Sequence, residues 1–300
     1  MTAEAQAPRD AFSSIFDAVR EAIPALRFEI LEVGALPLGG KVEPFHRLID
    51  EFPGSRVHAF EVDEASFEQL RAAARPGLEI HRAAIGARRE RRPLYLANHS
   101  MCTSLYRPDE QLLRHFNAME VNYPRGETEV DTVAIDDLVA DGRLGPIDFV
   151  KLDIQGAELD AFRGARASLA TVVAIVSEVE FVPLYRDQPL FGDVDRELRA
   201  SGFLFHKFLG VAGRDLRPVV RGGNPAKGSW HLWADAMFVR EIARWGSLDA
   251  QSLAKLAVVA LLYGSPDIAL RCLATCDGLL GSDLRSVFMR AVKAVAEGAA

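Results

Sequence analysis

The chain has 300 residues, 49% of them apolar and 26% charged, with a formal net charge of −7. That apolar content suffices to bury one large α/β core plus a small appendage, and the acidic balance argues against general nucleic-acid binding. No basic stretch followed by an apolar core and a small-residue cleavage site opens the chain, and no apolar run approaches the roughly 18 residues of a membrane helix, so a soluble, cytoplasmic protein is expected.

The residues up to Pro8 read as disordered. Phe12, Ile15, Phe16, Val19 and Ile23 then recur at helical spacing until Pro24, predicting a covering helix within residues 1–27. Phe28 to Val33 is the first buried strand, followed by the loop GALPLGG and a helix carrying Phe45, Leu48, Ile49 and Phe52 that stops at Pro53-Gly54. Arg56 to Val62 is the second strand, with Glu61 and Asp63 at its end. A helix with Phe67 and Leu70 follows, and Leu78 to Ala83 is the third strand. The order β-α-β-α-β predicts a parallel sheet with right-handed crossovers.

Between Gly86 and Ile135 the alternation loosens into short strands around a loop and a helix, read as an excursion over the strand ends. Ile147 to Ile154 is a near-continuous apolar run, the pattern of a parallel strand covered on both faces. After Gly156 the period becomes helical, so Asp153, Gln155 and Glu158 fall between the end of a strand and the start of a helix. In open α/β sheets that edge holds ligands. Val172 to Phe181 is the fifth strand, placing Glu178 and Glu180 on one face because strand side chains alternate. A helix around Val194 to Ala200, a strand from Phe203 to Leu209, a Gly-, Arg- and Pro-rich loop from Gly210 to Trp230 and a last strand from Asp235 to Arg240 complete a sheet domain spanning 28–240.

From 241 to 300 only helical patterns occur, in an arrangement similar to a tetratricopeptide hairpin that is too small to stand alone. It serves either as a packing cap or as a surface for a second copy or a protein partner. Cys102, Cys272 and Cys276 read as reduced packing residues. No HExxH or CxxC spacing is present, so no metal is expected. The run Ala87 to Arg92 reads as a solvated turn, because it is short, holds Glu90 and lacks interleaved aromatics.

The first loop, E-x-G-x-x-x-x-G-G from Glu32 through Gly34 to Gly39-Gly40, fails as a dinucleotide fingerprint, since its glycine spacing does not bring backbone onto a pyrophosphate. S-adenosylmethionine has no phosphate and carries a sulfonium and an ammonium that acidic residues favour. Glu61 stands where a carboxylate accepts ribose hydroxyls, although Glu61 and Asp63 are equally a polar strand end and a helix cap. Asp153 is read as facing the acceptor or the methionine end of the cofactor, whereas Glu158 is read as favoured by the helix dipole without further function. His99, Asp153 and His231 are the candidates for a base.

The segments EVGALPLGG, HAFEVD, MCTSLYRP, VDTVAIDDL, DFVKLDIQGAELDAFRGA and EVEFVPLYRDQPLFGDV resemble the FkbM-type S-adenosylmethionine-dependent methyltransferases, over about Phe28 to Arg240. The stretch KLDIQGAE, Lys151 to Glu158, is similar to the family's K-[IL]-D-[IV]-[EQ]-G-x-E signature. The resemblance implies a class I methyltransferase fold, Rossmann-like, with a seven-stranded, mostly parallel sheet whose last strand is antiparallel. It also implies O-methylation of a hydroxyl on a sugar or natural-product acceptor. Carried over by position, it puts S-adenosylmethionine near Glu32, Gly34 and Glu61, with the Ser104 loop and Asp153 facing the reaction centre. Asp63, Ala84 and Ser104 join the candidates for cofactor binding, and His99 joins Asp153 as a catalytic candidate. Leu38 stands where the family's first loop usually has its second glycine. Two other readings are a catalytically silent binding platform and a nucleotide-dependent oxidoreductase on the same sheet.

Overall fold

The computed structural model describes residues 9–35 and 43–297. The expected disorder before Pro8, Leu38 and the Gly39-Gly40 pair therefore lie outside the described residues. In chain order the elements begin with α1 (Arg9–Ala22), β1 (Glu29–Val33), α2 (Arg47–Glu51), β2 (Arg56–Glu61), α3 (Glu64–Ala72) and β3 (Leu78–Arg82). The excursion contributes β4 (Ala84–Ile85), β5 (Glu90–Ala97), α4 (Glu110–Leu113), β6 (Pro124–Val133) and α5 (Ile135–Ala140). Then come β7 (Phe149–Leu152), α6 (Glu158–Arg163), β8 (Ala174–Glu180), α7 (Phe191–Ala200), β9 (Phe203–Arg214) and β10 (Trp230–Arg240). The chain closes with α8 (Ala250–Leu262), α9 (Pro266–Leu280) and α10 (Leu284–Ala296).

Contacts gather these elements into two compact units, one holding α1, α2 and the chain from Glu241 onward, the other holding the strands with α3 to α7. In the helical unit α1 packs with α10 and α8, and α8 with α9. Asp249 caps α8 by accepting a hydrogen bond from the Ser252 amide at 2.7 Å. The run from Leu256 to Leu261 is buried throughout, as expected of a helix apolar on every side.

In the other unit a seven-stranded sheet has the order β3-β2-β1-β7-β8-β10-β9, with β10 antiparallel to both its neighbours and the pairs among β1, β2, β3, β7 and β8 parallel. The alternation of strands and helices predicts a parallel sheet, and this is the seven-stranded form with an antiparallel last strand that the resemblance implies. β1 and β8 are buried at every position. Leu31, Val33, Phe60, Val150, Leu152 and Phe162 belong to one apolar cluster, consistent with strands covered by helices. Two crossovers leave from the centre of the sheet in opposite directions, β1 toward β2 and β7 toward β8. Their carboxyl ends therefore flank the switch point where ligands bind in such sheets.

The excursion forms a separate three-stranded sheet, β4-β6-β5. Of the loop expected from Gly210 to Trp230, residues 215–229 connect the strands as a largely exposed loop, while β9 and β10 take its two ends as a long antiparallel pair out to Arg214 and Trp230. Two of the segment's glycines allow close backbone approach: a Cβ on Gly228 would stand 1.8 Å from the carbonyl carbon of Arg214, and one on Gly213 2.7 Å from the Trp230 carbonyl oxygen.

Candidate active site

The turn from β7 into α6 is held by its own backbone and by one side chain. The Asp153 amide donates to the Val33 carbonyl at 3.0 Å, joining the ends of β7 and β1. Gln155 and Gly156 follow with φ of 56° and 99°, in the left-handed region. Glu158 accepts the amides of Ile154 at 2.8 Å and Gly156 at 2.9 Å, one on each carboxylate oxygen. Burial pushes its carboxyl up to about 7 against the opposing pull of those amides. Its hydrogen bonds are thus spent on shaping the turn.

A cavity of about 560 Å³, open mouth included, lies at this edge; Gly34, Glu61, Ala84, Ser104 and Asp153 all line it. Glu61 ends β2 and is 7% exposed. Its Oε1 accepts the amides of Val62 and Asp63, both at 2.7 Å, and its Oε2 takes no hydrogen bond among the described residues. Burial raises its carboxyl to about 7, the two amides oppose the rise, and the neighbouring charges of Asp63 and Asp153 add to it. Ser104 is buried, and its hydroxyl donates to the Gln155 carbonyl at 2.7 Å while accepting the Tyr106 amide at 2.9 Å. It ties the excursion to the turn after β7.

Asp63 and Glu32 line neither this cavity nor the one beside it. Asp63 caps α3 by accepting the amide and hydroxyl of Ser66, each at 3.0 Å, and reaches the cavity only through the amide it gives Glu61. Glu32 is buried in β1, in register with Ala59 on one side and Lys151 on the other.

The adjoining cavity, about 1170 Å³ with its mouth, shares Met101, Asp153 and Gln155 with the first. Four carboxylates line it: Asp153, Glu178, Glu180 and Asp235. Burial, reinforced by neighbouring acids that include Asp153, holds Glu178 and Glu180 well above the usual carboxylate range. Lys151 lies buried beside them, its ammonium 3.1 Å from Asp235 Oδ1 and 3.4 Å from Asp153 Oδ2. Burial works against that charge, but Asp153, Asp235 and Glu178 together keep it above the ordinary lysine value.

Gln155 joins the acids to an aromatic residue. Its amide nitrogen donates to Asp153 Oδ1 at 3.0 Å and to Glu178 Oε2 at 2.7 Å, and its carbonyl oxygen accepts the Tyr185 hydroxyl at 3.0 Å. Lys151, Gln155, Tyr185 and Asp235 had no assigned role in the sequence reading. Their shared signal is position: each lies at or beyond the cavity end of a strand, within or after β7 and β8 or early in β10.

His99 lines the second cavity rather than the first. Its Nδ1 accepts the Met101 amide at 3.3 Å, so the neutral ring carries its proton on Nε2. His231 is exposed on β10 and lines neither cavity. Of the three candidates for a base, Asp153 alone touches both.

A sequence model of the methyltransferase FkbM domain matches residues 32–205, more than half of the chain. No curated protein matches. Among solved structures, similarity extends to a candidate methyltransferase from Thermobifida fusca at 14% identity, covering 78% of this chain and 80% of that one, with a TM-score of 0.36. It extends also to the N-terminal domain of EvdMO1, solved in the presence of SAH and D-fucose, at 11% identity, 78% and 84% coverage and a TM-score of 0.32. M. jannaschii TYW2 in complex with AdoMet matches at 12% identity, 79% and 80% coverage and a TM-score of 0.29. Among the described residues no helix is long and apolar enough to cross a membrane. The domain match, set on this strand order, places the chain in the FkbM methyltransferase family, a family of S-adenosylmethionine-dependent enzymes.

Proposed function

We propose that this chain is an O-methyltransferase that holds S-adenosylmethionine in the cavity of Glu61 and a hydroxyl-bearing small molecule, a sugar or natural product, in the acidic cavity beside it. The single observation that carries this reading is the position of Asp153, a residue in the wall of both cavities.

The residues of the first cavity fit the cofactor. Glu61 offers one carboxylate oxygen fixed by two amides and a second oxygen free to accept ribose hydroxyls. The acidic surroundings favour a sulfonium. When bound, S-adenosylmethionine supplies an electrophilic methyl group with a neutral thioether as leaving group. Gln155, Lys151 and Tyr185 hold the Asp153 side chain and the turn that carries it. Asp153 then accepts a hydrogen bond from the acceptor hydroxyl, sets its oxygen toward the methyl and takes up the proton that the hydroxyl gives up, with orientation providing much of the rate. Glu178, Glu180 and Asp235 offer further oxygens to an acceptor rich in hydroxyls.

The test is transfer of isotopically labelled methyl from S-adenosylmethionine to a panel of sugars and hydroxylated natural products, with the product bond assigned by NMR. An O-methyl product is expected. A product methylated on nitrogen or carbon would refute the choice of oxygen, and failure to bind the cofactor would refute the reading of the first cavity.

A further inference from the structure

On the far edge of the same sheet, His58 of β2 meets Glu79 and His81 of β3. His58 Nδ1 stands 3.1 Å from His81 Nε2 and 3.3 Å from Glu79 Oε2, and the three donor atoms all lie within 4.8 Å of one another. A four-coordinate zinc ion with bonds of about 2.0–2.1 Å separates its ligand atoms by roughly 3.3–3.4 Å. The separations of 3.1 and 3.3 Å about His58 Nδ1 are close to that tetrahedral edge.

The other side of the inner ligand is prepared as well. His58 Nε2 is 2.7 Å from Glu29 Oε1, which fixes the ring and leaves the Nδ1 lone pair facing His81 and Glu79. A carboxylate on the outer nitrogen of a metal-bound histidine is the usual means of setting its tautomer and orientation. Glu29 is itself held by the Gly145 amide at 3.2 Å and by Arg56 at 3.2 Å. With Nε2 turned to Glu29, His58 Nδ1 faces His81 Nε2 and Glu79 Oε2, the two atoms that would share a cation with it. The His58 side chain is 2% exposed and that of Glu79 43%, giving a fixed inner ligand and an outer one at the edge strand, where an ion and a water molecule can enter.

We propose that His58, His81 and Glu79 form a zinc site, with Glu29 as the positioning residue and water as the fourth ligand. The ion braces edge strand β3 to β2. His81 stacks on Phe60 with ring centroids 4.6 Å apart, and Phe60 lines the cavity of Glu61, so the brace supports that wall from behind. The two histidines lie 23 positions apart and meet only because β2 and β3 pair.

The experiment uses untagged, full-length protein treated with a chelator and titrated with Zn²⁺ alone against a chromophoric competitor, then with Co²⁺ for its visible spectrum. One ion per chain and the intense absorption of four-coordinate cobalt are expected. His81→Ala and Glu79→Ala, both at partly exposed positions, weaken binding at least tenfold, as does Glu29→Gln. Zn²⁺ raises the thermal midpoint of the parent protein and leaves that of His81→Ala unmoved. Absence of binding at micromolar Zn²⁺, or binding equal in the parent and in His81→Ala, overturns the proposal and leaves a hydrogen-bonded histidine pair as the account of this cluster.

Discussion

A Cβ placed on Gly34 would stand 1.8 Å from the carbonyl oxygen of Asp153. The first glycine of the loop after β1 therefore serves the junction between two central strands as well as the cavity it lines. Its φ of 78° adds a second demand for glycine.

Gly34→Ala is expected to force the ends of β1 and β7 apart. Overpacking of this kind costs about 1–3 kcal/mol, and a left-handed alanine adds about 1 kcal/mol. Denaturant unfolding should report a loss within that range, with weakened cofactor binding in the same variant. Unchanged stability would show that the junction yields freely.

Lys151 is the cation set among Asp153, Asp235 and Glu178. Lys151→Ala removes a buried ammonium from its ion pairs with the partly exposed Asp153 and Asp235, and the lost charged hydrogen bonds are expected to cost about 1.5–3 kcal/mol at neutral pH. Lys151 is held above the ordinary lysine value, so what its charge contributes is present at neutral pH and is lost only as the pH rises past that value. Denaturant unfolding of Lys151→Met, which keeps the side-chain length without the charge, is the check: a loss as large as that of Lys151→Ala is expected, and parent-like stability would mean that lost packing, not charge, is the cause.

Glu61 has a folded-state value near 7 against 4.5 for an unperturbed carboxyl. A raised carboxyl binds its proton more tightly in the folded state, so its ionisation opposes folding. The penalty is absent below about 4.5, grows between 4.5 and 7, and is complete above 7. Glu61→Gln keeps an acceptor for the two amides and removes the charge. The variant should exceed the parent protein in stability at pH 8 by up to about 3 kcal/mol, and that advantage should fade by about pH 4.5. Paired unfolding curves across this range provide the check; an advantage that does not change with pH would contradict the assignment.

Much of the sheet is legible in the sequence because parallel strands covered on both faces are written as short apolar runs, and the ends of those runs mark the ligand edge. Glu61 and Asp63 show where that legibility stops. Both are acids at one strand end, yet Glu61 lines the cavity and Asp63 caps α3, a distinction made by backbone direction over two residues. His99 and Asp153 likewise stand at one edge, but the tautomer of His99 is set by a local amide. The network from Gln155 to Tyr185 spans 30 positions, and the helical unit gathers three separate chain segments. Neither relationship has a periodicity to announce it. Gly213 and Gly228 resemble the loop glycines Gly222 and Gly223 between them because close strand approach and loop freedom call for the same residue.

Asp153→Asn preserves size and removes the charge at the wall between the two cavities. Methyl transfer is expected to fall by about 10²-fold or more, while the cofactor dissociation constant stays within a few-fold. Steady-state rates beside calorimetric binding separate the two effects. Full activity in the variant would remove Asp153 from the reaction centre.

The most direct measurement is calorimetric titration of the parent protein and of folded Glu61→Ala with S-adenosylmethionine. Loss of charged hydrogen bonds worth about 1.5–3 kcal/mol predicts affinity weakened roughly 10- to 100-fold in the variant. Equal affinity in the two proteins would contradict the placement of the cofactor at the end of β2.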